Sequence, residues 1–179
     1  VMENILFKIS FPAEFHAQTA VEASINLHPL VKDRLEEIEK IVIQTQQSGD
    51  RIINKTGKLD NPADRDHCIQ YMTAIALIKG SLVAEDYEDK VASMPMIDEL
   101  RSKMIVEENP LFSKEYFEQD KRSIGNSIQV FFNDGTSTHL ESIDYPVGHR
   151  RRRDEGIPLL IEKFERYVTG HMEKNKSSQ

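Results

Sequence analysis

The sequence has 179 residues, of which 39% are hydrophobic and 30% are charged, and its net charge is −7 at pH 7. This composition is typical of a folded globular domain and excludes an intrinsically disordered chain. The negative charge argues against general nucleic-acid binding, because such binding depends on neutralising many phosphates. No apolar run reaches the roughly 18 residues that a membrane span needs.

The cysteine and histidine content limits the chemistry that the chain can carry. A single cysteine, Cys68, excludes an internal disulfide and a self-contained iron–sulfur cluster, which needs several thiolates. No histidines have zinc-ligand spacing, and the sequence has no glycine-rich phosphate loop. We therefore expect no metal and no cofactor.

The first ten residues, VMENILFKIS, lack the basic region and the cleavage site of a secretory signal. A strand-like segment begins there almost at once, so we expect the chain to be a piece of a longer protein. We expect that protein in the cytoplasm or, in a eukaryote, in the mitochondrial matrix.

Short β-forming runs and helical patterns share the first third of the chain. Residues 4–10 predict a strand, and residues 40–45 predict a second one. Residues 14–28 carry apolar side chains at helical spacing and predict a helix, with one or two further helical turns over 33–40. Residues 46–61 are expected to be irregular, with one short helix.

Residues 62–79 show helix signals at both ends. Asn61 suits the N-cap, and Gly80 stands where a C-terminal glycine belongs. Residues 95–104 predict a further helix, and residues 104–109 a strand that follows it.

The clearest β pattern is NSIQVFFNDGTSTHLESIDY, residues 126–145. Strand-forming residues flank Asp134-Gly135, which is a favoured two-residue hairpin turn. Residues 157–168 then place apolar side chains on one face of a helix. Together the patterns predict an α+β fold, with a small, mostly antiparallel sheet, helices packed on one side, and a C-terminal amphipathic helix.

Four consecutive arginines, Arg150–Arg153, lie in a predicted loop bounded by Gly148 and Gly156. Arginine binds carboxylates and phosphates in two-point geometry. Consecutive side chains cannot all point the same way, so one or two could reach a shared ligand. The alternative is a solvated loop whose charge is neutralised by Asp154 and Glu155.

Lys8 and His16, in KISFPAEFH, form a second group of candidate residues. The lysine ends a predicted strand and the histidine lies in the first turn of the next helix, which could bring a cation and a base together. The alternative is a structural histidine. Asp64 and Asp66 suit the positive end of a helix dipole, and we interpret the neighbouring His67 as structural.

Four segments of the sequence resemble the C-terminal portion of the MmgE/PrpD family, over about residues 4–167. They are FPAEFHAQTAVEA, KTGKLDNPADRDHCIQYM, DKRSIGNSIQVFFNDGT and YPVGHRRRRDEGIPLLIEKF. Of these, NPADRDHCIQY and GHRRRRDEGIP resemble the branch that dehydrates 2-methylcitrate. The resemblance implies that residues 1–150 form the smaller, lid-like α+β domain of that fold. It also implies that residues 151–179, a helix and tail, pack back on a helical domain absent from this chain.

The resemblance further implies a hydro-lyase that converts 2-methylcitrate to 2-methyl-cis-aconitate in propionate breakdown, in the methylcitrate cycle, without a cofactor. Lys8 and His16 match in kind the family's lysine, aromatic-proline and histidine pattern, so both are expected to be catalytic. Arg150, Arg151, Arg152, Arg153 and His149 are expected to bind the tricarboxylate.

The partners that the resemblance implies are the missing N-terminal helical domain and a second copy in a homodimer, with no nucleic acid and no membrane. Two alternatives stay open. One is a cis-aconitate decarboxylase of the same family, and the other is a non-catalytic lid or docking module.

Overall fold

A computed structural model describes the backbone of residues 9–176 and the side chains of residues 9–165, 168 and 169. Phe11–Pro146 form one compact unit, and the described residues that flank it, 9–10 and 147–176, belong to a second unit. The helices are α1 (Gln18–Val31), α2 (Gln47–Ile53), α3 (Pro62–Asp66), α4 (Ile69–Lys79), α5 (Asp89–Ala92), α6 (Pro95–Ser102), α7 (Pro110–Phe117) and α8 (Arg153–Lys176). Short 3₁₀ turns occupy Phe15–Ala17, Leu35–Glu37, Ala84–Tyr87 and Arg150–Arg152.

The strands of the first unit form one mixed sheet. They are β1 (Ile38–Thr45), β2 (Met104–Glu108), β3 (Asn126–Phe132) and β4 (Glu141–Ile143), in the order β2-β1-β3-β4 among the described residues. β1 pairs with β2 in parallel and with β3 antiparallel, and β3 pairs antiparallel with β4. The prediction of a small, mostly antiparallel sheet in an α+β fold is confirmed.

The hydrophobic core lies between the sheet and helices α1, α4 and α6. Helix α1 packs against β3, β4 and α4, while α6 packs against β1. Alternate residues of β1 point into the core, so Ile41 and Ile43 are fully buried. Helix α4 is buried almost all round, because it lies beneath both α1 and α6.

The first predicted helix begins later and extends further than its sequence pattern indicates. Residues 15–17 form a 3₁₀ turn, and α1 then continues past Pro29 to Val31. Only a short 3₁₀ turn follows at Leu35–Glu37, because residues from Ile38 onward already pair in the sheet. The predicted strand at 4–10 lies mainly outside the described residues, and residues 9 and 10 are not part of a strand.

The prediction of one helix over 62–79 is wrong, because the chain breaks between α3 and α4. Both predicted ends are confirmed: Asn61 accepts a hydrogen bond from Asp64 N, and Gly80 takes a left-handed conformation. The break falls at Cys68, which has an extended backbone and whose thiol donates to Lys55 O at 3.4 Å. The locally helical pattern is thus interrupted at a residue that contacts the preceding loop.

The hairpin turn between β3 and β4 has three residues, 133–135, rather than two. Phe132 N donates to Thr136 O, and Gly135 N donates to Phe132 O. Gly135 lies at φ +82°, the left-handed conformation that closes a three-residue turn of this kind.

The prediction that the four arginines lie in a loop is also wrong. Arg150–Arg152 form a 3₁₀ turn, and Arg153 is the first residue of α8. His149 caps the turn, and the acidic side chains of Asp154 and Glu155 stabilise the positive end of the helix dipole.

Gly156 lies within the first turns of α8 and allows close packing. A Cβ atom there would lie 2.6 Å from Val147 O.

None of the helices in the described part of the chain has the length and apolarity to cross a membrane.

The left-handed Gly80 provides a test of this packing. Gly80→Ala would place a Cβ at φ +67° and 2.6 Å from Cδ2 of His28, whose Nδ1–H donates to Leu77 O. We expect it to lower the free energy of unfolding, measured by urea denaturation, by more than the roughly 1–2 kcal/mol that a left-handed alanine costs.

Gly135→Ala is the matched control, because it has φ +82° but its Cβ would meet no described atom within 4 Å. Gly135→Ala should lower the free energy of unfolding only by the cost of the left-handed backbone conformation. Equal losses for the two variants would contradict a close contact between Gly80 and His28.

Candidate functional site

His16 lies in the 3₁₀ turn before α1, where Glu14 fixes its position from two sides. The carboxylate of Glu14 caps the turn by accepting a hydrogen bond from His16 N at 2.7 Å. The same carboxylate lies 3.0 Å and 3.2 Å from the ring nitrogen Nδ1 of His16. The side chains of His16 and Glu14 are only 10% and 12% exposed, so water competes little for these bonds.

The other ring nitrogen of His16, Nε2, lies 3.3 Å from the hydroxyl of Tyr116. An ionised carboxylate only accepts hydrogen bonds, so Nδ1 carries the proton that is directed to Glu14. In neutral His16, Nε2 is then an acceptor, and Tyr116 donates its hydroxyl proton to it. The three side chains form one hydrogen-bonded series of carboxylate, imidazole and phenol.

Two opposing effects act on Glu14. Burial raises the pKa of its carboxyl group, but the hydrogen bonds from His16 and the charges of His16 and His67 lower it. The sum holds the pKa of Glu14 below its ordinary value of 4.5, so the carboxylate is ionised near neutral pH. His67 lies at the break between α3 and α4, half exposed, and its charge acts on the same carboxylate.

Tyr116 is positioned by helix α7, which is anchored to the end of β1. Asn109 caps α7 by accepting from Leu111 N, and its amide donates to Gln44 Oε1 at 3.0 Å. The hydroxyl of Ser113, on the same helix, accepts from Gln47 N at 2.8 Å. These bonds fix the helix that carries Tyr116 relative to the sheet.

The turn that carries His16 is anchored to β3 by a buried amide. Asn126 Nδ2 donates to His16 O at 2.8 Å and to Thr19 Oγ1 at 2.7 Å. Thr19 in turn donates to Ile124 O at 2.5 Å, and Asn126 and Thr19 are both fully buried. Backbone and side chain of His16 are therefore fixed by separate groups.

The arginine run belongs to the second unit, together with His149. His149 is buried, and its Nδ1 accepts the backbone N–H of Arg151 at 3.2 Å. Arg152 pairs with Glu155 at 2.8 Å and lowers the pKa of that carboxyl group. Arg150 and Arg151 are exposed, whereas Arg152 and Arg153 are half-buried.

His16 could be identified as a candidate from the sequence, but two residues that contact it, Glu14 and Tyr116, were not predicted. Glu14 could have been found from its spacing, because a carboxylate two residues before a histidine can cap the same turn. Tyr116 could not be linked to His16 from the sequence pattern, because it lies 100 residues away along the chain.

Lys8 lies outside the described residues. The described His, Cys, Asp and Glu side chains form no group of three that could hold a metal.

Comparison with known proteins gives a consistent set of relatives. Residues 11–179 match the MmgE/PrpD C-terminal domain family. The chain is 55% identical to the mitochondrial 2-methylcitrate dehydratase of Yarrowia lipolytica over 173 residues, which are 95% of this chain and 33% of that protein. It is 54% identical to the 2-methylcitrate dehydratase of Salmonella typhimurium and 52% identical to that of Escherichia coli, each over 168 residues, 92% of this chain and 35% of the relative. The chain thus spans about a third of the length of the curated relatives it matches.

The depressed pKa of Glu14 predicts a pH-dependent contribution to stability. A carboxyl group whose pKa is lowered by folding stabilises the fold above its unfolded pKa, and this contribution is lost as the pH falls through the folded value. Wild type should therefore exceed Glu14→Gln in free energy of unfolding at about pH 7, and the difference should narrow towards about pH 3.

Urea denaturation across this range measures the difference. Glu39→Gln, at an exposed glutamate of β1, is the control and should change stability little at either pH. A difference between wild type and Glu14→Gln that stays constant with pH would contradict an ionised, hydrogen-bonded Glu14.

Proposed function

Because this chain belongs to the MmgE/PrpD family, we propose that it is the C-terminal part of an enzyme that dehydrates 2-methylcitrate to 2-methyl-cis-aconitate. The observation that carries the proposal is the Glu14–His16–Tyr116 series, an acid/base group centred on a buried histidine, in a chain more than 50% identical to named dehydratases. The reaction belongs to the methylcitrate cycle of propionate breakdown.

Dehydration of a hydroxylated tricarboxylate requires three kinds of functional group. Cations must hold the carboxylates, a base must take the proton next to one of them, and an acid must protonate the departing hydroxyl group. In this proposal His16 takes part in proton transfer, because Glu14 holds its ring in one orientation and leaves Nε2 as the basic nitrogen.

We assign the binding of the substrate carboxylates to cationic side chains of the second unit. Arg150–Arg153 bind substrate carboxylates, with one of the four in direct contact, since consecutive side chains on a helical turn diverge. His149 supports this run by capping its turn. Lys8 binds a carboxylate or carries a proton.

The rest of the enzyme is the N-terminal part, because the named dehydratases are about three times as long as the matched region. We assign the C-terminal helix and tail, residues 151–179, to the contact with that part. The exposed apolar side chains of α8 support the assignment: Ile157, Leu160, Ile161, Phe164 and Val168. The complete enzyme acts as a homodimer in the cytoplasm or, in a eukaryote, in the mitochondrial matrix.

Turnover of 2-methylcitrate tests the proposed function. We expect no activity from this chain alone, and formation of the alkene, followed by its absorbance, when the chain is mixed with the N-terminal part of the Yarrowia lipolytica relative. Release of carbon dioxide from cis-aconitate, without alkene formation from 2-methylcitrate, would indicate the decarboxylase instead. Activity of the chain alone would contradict a site shared with the missing part.

The apolar face of α8 predicts self-association of the isolated chain. Ile161→Ser should lower the apparent mass in sedimentation, because it removes an exposed apolar contact from that face. Leu140→Ser is the matched control, since Leu140 is 53% exposed and Ile161 52%, but Leu140 lies in the other unit. A monomeric wild-type chain, or equal effects of the two variants, would contradict the assignment of α8 as the contact surface.

A further inference from the structure

The hydrogen-bonded series of Glu14, His16 and Tyr116 ends at a phenol hydroxyl. Glu14 and His16 are nearly enclosed, and both ring nitrogens of His16 are already engaged, Nδ1 by Glu14 and Nε2 by Tyr116. Tyr116, at the end of α7, is half-buried, whereas His16 is buried. A ligand that approaches the series therefore meets the phenol before it meets the imidazole.

We propose that the hydroxyl of Tyr116, rather than the ring of His16, exchanges the proton with the substrate. His16 then acts behind it as the base that receives the hydroxyl proton, and Glu14 holds the imidazole in the required tautomer. This inference rests on the proposed function and adds a catalytic residue to it. The order of carboxylate, imidazole and hydroxyl is that of the hydrolase triads, with a phenol in the place of the serine.

The proton transfers balance within these groups. Tyr116 gives its hydroxyl proton to His16 Nε2, and the phenolate oxygen takes the proton from the substrate carbon next to a carboxylate. The electron pair of that C–H bond forms the C=C bond, and the neighbouring C–O bond breaks to release hydroxide. Tyr116 then protonates the hydroxide to water, and Nε2 returns its proton to the phenolate, which restores the starting state.

The aromatic rings around His16 favour proton transfer through Tyr116, the relay, over direct abstraction of the substrate proton by the histidine. Phe15 packs edge-on against the His16 ring at 5.2 Å between ring centroids, and the ring of Tyr116 lies at 5.7 Å. Phe117 packs edge-on against Tyr116 at 5.0 Å. Aromatic rings on both sides keep the imidazole in contact with its two hydrogen-bonding partners.

Tyr116→Phe tests the relay because it removes only the hydroxyl. In the chain mixed with the N-terminal part of the relative, we expect kcat to fall by about 100-fold or more, with KM changed by less than about threefold. Tyr87→Phe is the matched control. It removes a buried hydroxyl that has no hydrogen-bond partner among the described residues and should leave kcat unchanged. Wild-type turnover together with an unchanged kcat for Tyr116→Phe would overturn the relay and leave the proposed function intact.

A second measurement does not depend on turnover. In this chain labelled with ¹⁵N, the ring nitrogens of His16, assigned with a His16→Asn variant, should show a proton on Nδ1 and none on Nε2. Glu14→Gln should weaken that preference, and Tyr116→Phe should shift the Nε2 signal, while Tyr87→Phe should do neither. If the mixture shows no turnover, the proposed function fails, and an Nε2 signal unaffected by Tyr116→Phe would overturn the relay as well.

Discussion

The position of the candidate site depends on one buried amide. Asn126, at the start of β3, donates to the carbonyl of His16 and to the hydroxyl of Thr19, and so joins the 3₁₀ turn and α1 to the sheet. Its Oδ1 is buried without a partner among the described residues, which costs stability on the order of 1–3 kcal/mol. A local cost of this kind is common where a fold must hold a functional group in place.

The two units carry chemically different groups. The first unit holds a carboxylate, an imidazole and a phenol in one hydrogen-bonded series, which is suited to moving protons. The second unit carries four consecutive arginines at the start of α8, which are suited to binding carboxylates. A net charge of −7 for the whole chain is compatible with this division, because the positive charge is local rather than spread over a surface for nucleic acid.

Features set by local chemistry could be predicted from the sequence, and features set by distant contacts could not. Asn61 and Gly80 mark helix ends through their own backbone and side-chain properties, and both predictions are confirmed. The break at Cys68 lies where its thiol contacts the carbonyl of Lys55, and the bond from Tyr116 to His16 joins residues 100 positions apart. The helical turn at the arginine run is capped by the side chain of His149, and the charge pattern of the sequence gives no sign of that cap.

We propose that substrate protons pass through the hydroxyl of Tyr116. The most direct test is a crystal structure of this chain in complex with the N-terminal part of a relative and bound 2-methyl-cis-aconitate. We expect the Tyr116 hydroxyl to lie within hydrogen-bond reach of the ligand, about 3 Å, and to remain bonded to His16. A ligand that contacts His16 directly while Tyr116 points away, or one bound far from both, would contradict it.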